Sequence, residues 1–227
     1  MDEAQIKAAV LNHLRSVAPR GKKPTVTSEF TLGNASVRAD LAILADEFIG
    51  VEIKSATDTL KRVPSQMAGY ALHFDQVVLV VAERHLKRLV AEDLCGASLW
   101  TVTKDGGIVP VHHGRANKIA APAYMNLLTQ AEIERLVYRP NAQRPSSAGL
   151  SDAAIRNAFT KAFEQRYNPT SETFWRAVAR RKIRAQDLTL LSRFSEERVR
   201  RRAVAQQQAD FWQSWTDNFR SNFMLTA

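Results

Sequence analysis

The sequence predicts an α/β fold: a mixed β-sheet core flanked by helices, followed by an all-helical C-terminal region. Three observations predict it. Short apolar runs bounded by turn residues alternate with helical patterns between Thr25 and His112. One of those runs, Val77 to Val81, is apolar at every position, as in a strand buried on both faces. Beyond residue 139 no such run occurs, and helical spacing dominates. The expected division is a domain over 1–138, a turn-rich linker over 139–150 and a basic helical region over 151–227.

Met1 to Val17 reads as an amphipathic helix, with Ile6, Ala9, Val10, His13, Leu14 and Val17 on one stripe and Asp2 and Glu3 suited to its N-terminal dipole. His13 reads as a packing residue. A basic turn follows over 19–24. Thr25 to Leu32 is strand-like, and Gly33-Asn34 is a hairpin turn into a strand over 36–45. A second turn, Asp46-Glu47, leads into Phe48 to Lys54. The segment 58–73 has helical spacing, with Ser55, Thr57 or Asp58 as caps, although Pro64 suits only its first turn. After the Val77–Val81 strand come a helix over 83–93, a strand over 97–103, the Asp105-Gly106-Gly107 turn and a strand over 108–112. A helix over 121–137 closes this half. His112 and His113 are adjacent and point opposite ways on a strand, which argues against a shared metal. In the C-terminal region Ser151-Asp152 caps a helix to about 165, Thr170-Ser171 one to about 183, and Ser195 starts a third.

The chain has 227 residues, room for one good-sized domain with a helical appendage. Hydrophobic residues at 45% and charged residues at 24% mark a globular protein, and no apolar run is long enough to span a bilayer. The lone cysteine, Cys95, excludes an internal disulfide and a cysteine zinc cluster. A cytoplasmic location is expected. The net charge of +9 favours a polyanionic partner, nucleic acid before membrane surface.

The chemistry gathers at Asp40, Glu52 and Lys54, three ionisable residues inside two apolar strands. Alternation puts Glu52 and Lys54 on one face, and pairing of the two strands would bring Asp40 beside Glu52. Buried charges must pair or hold a metal. Two readings stand: a structural salt bridge of Lys54 with Glu52 or Asp40, or a hard-cation site for Mg²⁺ or Mn²⁺. Glu29 sits on the strand opposite Asp40 and is a third acidic candidate, with Arg38 placed to pair with it or with phosphate. Gln66 and Tyr70, four apart, share a helix face.

Arg38-Ala39-Asp40, eleven intervening residues and Glu52-Ile53-Lys54 resemble the PD-(D/E)XK nuclease superfamily, the restriction-endonuclease-like fold; Ala39 stands where that family has proline. The Gln66-x-x-x-Tyr70 pair is similar to that of its recombination-exonuclease branches. The resemblance implies a metal-dependent nuclease that hydrolyses DNA phosphodiester bonds. Asp40 and Glu52 would ligate Mg²⁺ or Mn²⁺ with help from the Ile53 carbonyl, Lys54 would position water or stabilise the transition state, and Gln66 and Tyr70 would orient substrate. In such relatives the opening helix can donate a carboxylate, here Glu3. The alternative is a non-catalytic nucleic-acid-binding or regulatory protein on the same fold. DNA is the expected partner, with Arg38, Arg62, Arg180, Arg181, Arg198 and Arg201 as contacts. Phe174, Trp175, Phe211, Trp212, Trp215 and Phe219 suit a helical core or a homodimer seam, and the tail could also dock a protein partner.

Overall fold

The backbone of the protein is a six-stranded sheet in sequential order: β1 (Thr25–Leu32), β2 (Val37–Leu44), β3 (Phe48–Lys54), β4 (Gln76–Ala82), β5 (Ser98–Val102) and β6 (Ile108–His112). It was obtained as a computed structural model describing residues 1–19, 23–33, 37–137 and 150–191. Strands β1 to β3 run antiparallel, β3, β4 and β5 run parallel, and β6 returns antiparallel. The α/β class and the mixed sheet expected from the sequence are present.

Turn chemistry sets the first three strands. Gly33 takes φ +52 at the end of β1, and the β1–β2 register closes at Leu32 opposite Val37. The Asp46-Glu47 turn is closed by the Ala45 N–H donating to the Glu47 carbonyl, which pairs Leu44 with Phe48. Gly50 in β3 is required by packing: a Cβ there would lie 2.3 Å from the Phe74 ring.

Helices cover both faces. On one lies α1 (Glu3–Val17), capped by Asp2 and Gln5 in a reciprocal box, with Ile6, Val10 and Leu11 against Leu41, Ile43, Val51, Val78 and Val80. His13 packs edge-on to Trp100, at 5.2 Å between centroids. On the other lie α2 (Val63–Ala71), α3 (Ala121–Met125) and α4 (Gln130–Val137), over Phe30, Phe48, Leu79 and Val81.

Several elements differ from the sequence reading. The helix read over 58–73 begins at Val63, near Pro64 as that proline suggested, and Asp58, expected as a cap, closes a loop by accepting from the Ser55 N–H and Oγ. The segment 83–93 forms two 3-10 turns, Glu83–Arg88 and Ala91–Leu94, separated by extended Leu89 and Val90. The helix over 121–137 is two helices, because Thr129 and Glu132 cap the second one reciprocally.

The largest correction concerns α5 (Asp152–Ala177). Two helices were expected, and one runs through Pro169. Its first half buries Phe159 and Phe163 on the α2 side, and its second half buries Phe174 and Trp175 on the α1 side. It therefore passes over the outer edge of β1. Ser171 Oγ accepts from the Val26 N–H at 3.0 Å, and Trp175 Nε1 donates to the Pro24 carbonyl. Edge-strand groups that would otherwise seek another chain are satisfied within this one. Residues Met1–Ser192 form one compact unit, so the division expected at 139–150 does not set 151–191 apart from the sheet. A buried carboxylate ties the layers: Asp75 accepts from the Phe48 N–H, Tyr124 Oη and Arg156 Nη2. Among the described residues no helix is long and apolar enough to cross a membrane.

Candidate functional site: a carboxylate cluster and its own cations

Beside the ends of β2 and β3 lies a cleft of about 540 Å³, lined by Glu3, Arg38, Asp40, Glu52, Lys54 and Arg62 among others. The β2–β3 register pairs Leu41 with Val51, so the next positions outward are Asp40 and Glu52, as strand pairing required. Val51 and Ile53 enter the α1-side core, which turns Glu52 and Lys54 to the opposite face.

Glu52 is 3% exposed and every contact it makes is with protein donors. Lys54 Nζ donates to Oε1 at 2.6 Å, and Gln66 Nε2 donates to the same oxygen at 2.6 Å. Tyr70 Oη donates to Oε2 and lies 2.9 Å from the Arg38 carbonyl. Burial, then the Glu52 charge, push the Tyr70 hydroxyl pKa well above the ordinary tyrosine range, so it stays a donor. Of the two readings of Glu52-x-Lys54, the buried salt bridge is the one the geometry contains.

Asp40 faces a different group. Its Oδ2 accepts from the Ile53 N–H at 2.7 Å, and its Oδ1 lies 3.7 Å from Lys7 Nζ. Lys7, buried to 5% exposure on α1, also contacts Glu3 at 2.6 Å and Glu29. Carboxylate oxygens of Glu3, Glu29 and Asp40 all lie within 4.8 Å of one another, with the ammonium among them. Burial, then the charge of Glu52, raise the Asp40 pKa to about 7, against the pull of Lys7. Burial works to lower the Lys7 pKa, but Asp40, Glu29 and Glu3 together raise it above the ordinary lysine value.

The strands bend to make this cluster. Val26 enters the α1-side core and Phe30 the α2-side core, although an even spacing should keep one face. Ala39 and Leu41 swap faces likewise. Between them sits Glu29 at φ 58, a left-handed backbone that costs a non-glycine residue about 1–2 kcal/mol. The kink turns Glu29 toward Lys7 and Arg38, whose Nε donates to it at 2.7 Å.

A divalent ion shared by Asp40 and Glu52 needs free carboxylate oxygens. Glu52 is engaged by three donors, Asp40 is bonded to β3, and the acidic grouping that forms is centred on Lys7. The orphaned buried oxygen at the cleft, Gln66 Oε1, is a neutral amide without a partner among the described residues. Of the expected ligand set of Asp40, Glu52, Ile53 and Glu29, the described residues bring Asp40 and Glu29 together with Glu3, carboxylate oxygens within 4.8 Å of one another, and leave Asp40 Oδ1 3.7 Å from Lys7 Nζ.

The structure thus brings Asp40, Glu52, Lys54, Gln66 and Tyr70 together, with Glu29 and Arg38 behind them and Arg62 exposed on the rim. Arg180 is exposed elsewhere. The Arg181 guanidinium forks onto Asp187, with both N–O distances 2.7 Å. Arg198 and Arg201 lie outside the described residues, as do Phe211, Trp212, Trp215 and Phe219. Sequence reasoning missed Lys7, whose signal was its position four after Glu3 on the buried side of α1. It also missed His85, buried with Nε2 2.9 Å from the Ser55 carbonyl.

Fold and site together define an α/β protein with a mixed six-stranded sheet and a largely buried, ion-paired carboxylate cluster. The family profile described as bacteriophage P4 protein cII matches residues 1–192, and the chain belongs to that family. A curated relative, protein cII of Enterobacteria phage P4, is 26% identical over 184 residues, covering 74% of this chain and 70% of the relative. A solved structure of a protein of unknown function from Silicibacter pomeroyi superposes with a TM-score of 0.43 at 17% identity, over 63% of this chain and 96% of that one. Membership of the cII family overturns the expectation of a metal-dependent DNA nuclease.

Proposed function

We propose that this protein is a non-catalytic nucleic-acid-binding protein with a regulatory role, built on a restriction-endonuclease-like fold. The observation that carries the non-catalytic reading is the state of the carboxylates: Glu52 is held by Lys54, Gln66 and Tyr70, and Asp40 shares Lys7 with Glu3 and Glu29. In such an arrangement the charged residues that resemble a hydrolytic centre hold β1, β2, β3, α1 and α2 in register. The net charge of +9 supports a polyanionic partner, and DNA is the one to test first.

The test pairs binding with cleavage. Fluorescence anisotropy on labelled duplex and single-stranded DNA should show binding that weakens steeply with salt. Incubation of plasmid and linear DNA with Mn²⁺ or Mg²⁺ should leave both intact. Metal-dependent cutting that disappears in Glu52→Gln would sink the non-catalytic part, and absence of binding to DNA and RNA at low salt would sink the nucleic-acid part.

A further inference from the structure

Two hollows meet beside the N-terminal half of α1, outside the carboxylate cleft. One, of about 410 Å³, lies between Gln5 and Asn12 of α1, the Lys104–Gly106 turn and the segment Lys182–Gln186. The other, of about 260 Å³, lies between Ile6, the loop at Ala56, and Glu83 and Arg84. Met1 and Lys104 line both, so the hollows are neighbours.

Their cations are Arg84, Lys104, Lys182 and Arg184, and their carboxylates are Glu83 and Asp105. None of the four cations forms an ion pair within 4.0 Å among the described residues. Asp105 is occupied: its hydrogen bond from Thr103, then its own backbone contact, and the nearby charge of Lys182 hold its carboxyl below the ordinary range. The cleft has the opposite balance. There Arg38, Lys54 and Arg62 face Glu3, Asp40, Glu52 and Asp58. A polyanion is attracted to the hollows more than to the cleft.

Topology supports the same place. Arg84 and Lys104 each follow within two residues of the carboxyl end of a parallel strand, β4 and β5. Ligands of α/β sheets gather at such ends; β3, parallel to β4, ends on this edge too, at Lys54 in the cleft, and the charge balance is what picks the hollows. Apolar Ile6, Ala8, Ala9 and Ile183 line the hollows between the charges and give a backbone or sugar a surface to lie on.

We infer that the two neighbouring hollows are the nucleic-acid-binding face of this protein, with Arg84, Lys104, Lys182 and Arg184 contacting the phosphate backbone. The inference rests on the nucleic-acid reading above and adds where the strand lies. It places the contact away from the nuclease-like residues.

The experiment uses the full chain and two charge-matched variants. One carries Lys104→Ala, Lys182→Ala and Arg184→Ala; the other removes the exposed Lys118, Lys161 and Arg176 to alanine. Thermal melting checks that both fold, and anisotropy on labelled duplex and single strands is run across a salt series. The first variant should bind at least about tenfold more weakly, with a log–log salt slope shallower by about two, while the second stays near wild type. Equal behaviour of the two variants, with wild type binding well, would overturn the placement and leave the nucleic-acid reading standing. No binding by wild type would overturn both.

Discussion

Asp40 shows how one carboxyl can be held between opposing influences. Its environment favours the protonated form up to about pH 7, whereas an unfolded aspartate titrates at about 4. Between these values the folded state holds a proton that the unfolded state has lost, so this group's contribution to stability falls as pH rises from about 4 to 7 and is flat above. Melting temperatures should therefore decline across that window, and Asp40→Asn should remove that part of the slope; an unchanged slope in the variant would refute the assignment. The acidic residues of this cluster were legible in the sequence, because charges inside apolar strands stand out. Lys7 was not. A lysine on a helix reads as solvent-facing until its neighbours in space are known, and those neighbours come from β1 and β2 through a left-handed residue, Glu29, that no sequence pattern marks.

At the scale of elements, strands were more legible than helices. The Asp46-Glu47 turn, the Gly33 turn and the apolar run in β4 each depend on local residues, and each lies where the sequence put it. Helix breaks depend on what the flanking turns find to pack against. A break was expected between about 165 and a cap at Thr170-Ser171, yet α5 continues through Pro169: Thr173 Oγ1 donates to the Pro169 carbonyl, and aromatic anchors hold the helix on both sides of the proline. The first of those halves is fixed by Asp75. Asp75→Ala would leave the Phe48 N–H and Tyr124 hydroxyl buried without their acceptor and detach Arg156. We expect a loss of about 3 kcal/mol, read by urea unfolding, because removing one member of a buried charged network strands its partners. A loss below about 1 kcal/mol would mean that α5 is held by its aromatic residues alone.

Taken whole, the molecule separates two surfaces that the sequence had merged. The residues that resemble a catalytic centre contact one another inside the cleft, while Arg84, Lys104, Lys182 and Arg184, without an ion pair within 4.0 Å among the described residues, line the hollows beyond β4 and β5. Composition sets an expected sign for a partner's charge but no location, since one-dimensional clusters of arginine include forks such as Arg181 with Asp187. The sheet also depends on chain far from it in sequence. A version ending at Leu150 lacks α5 and should bind a hydrophobic dye and elute as aggregates, where the full chain does not; a monodisperse, dye-negative fragment would show that α5 is dispensable.

That dependence has a temporal side. Val26 and Ser171, which share a hydrogen bond, stand 145 residues apart. A ribosome adding about 5–20 residues per second releases β1 several seconds before its cover exists. Through that interval the nascent sheet carries an open margin, and neighbouring chains on one messenger RNA would compete for it. The late arrival of α5 makes its own emergence the step that commits each chain to itself.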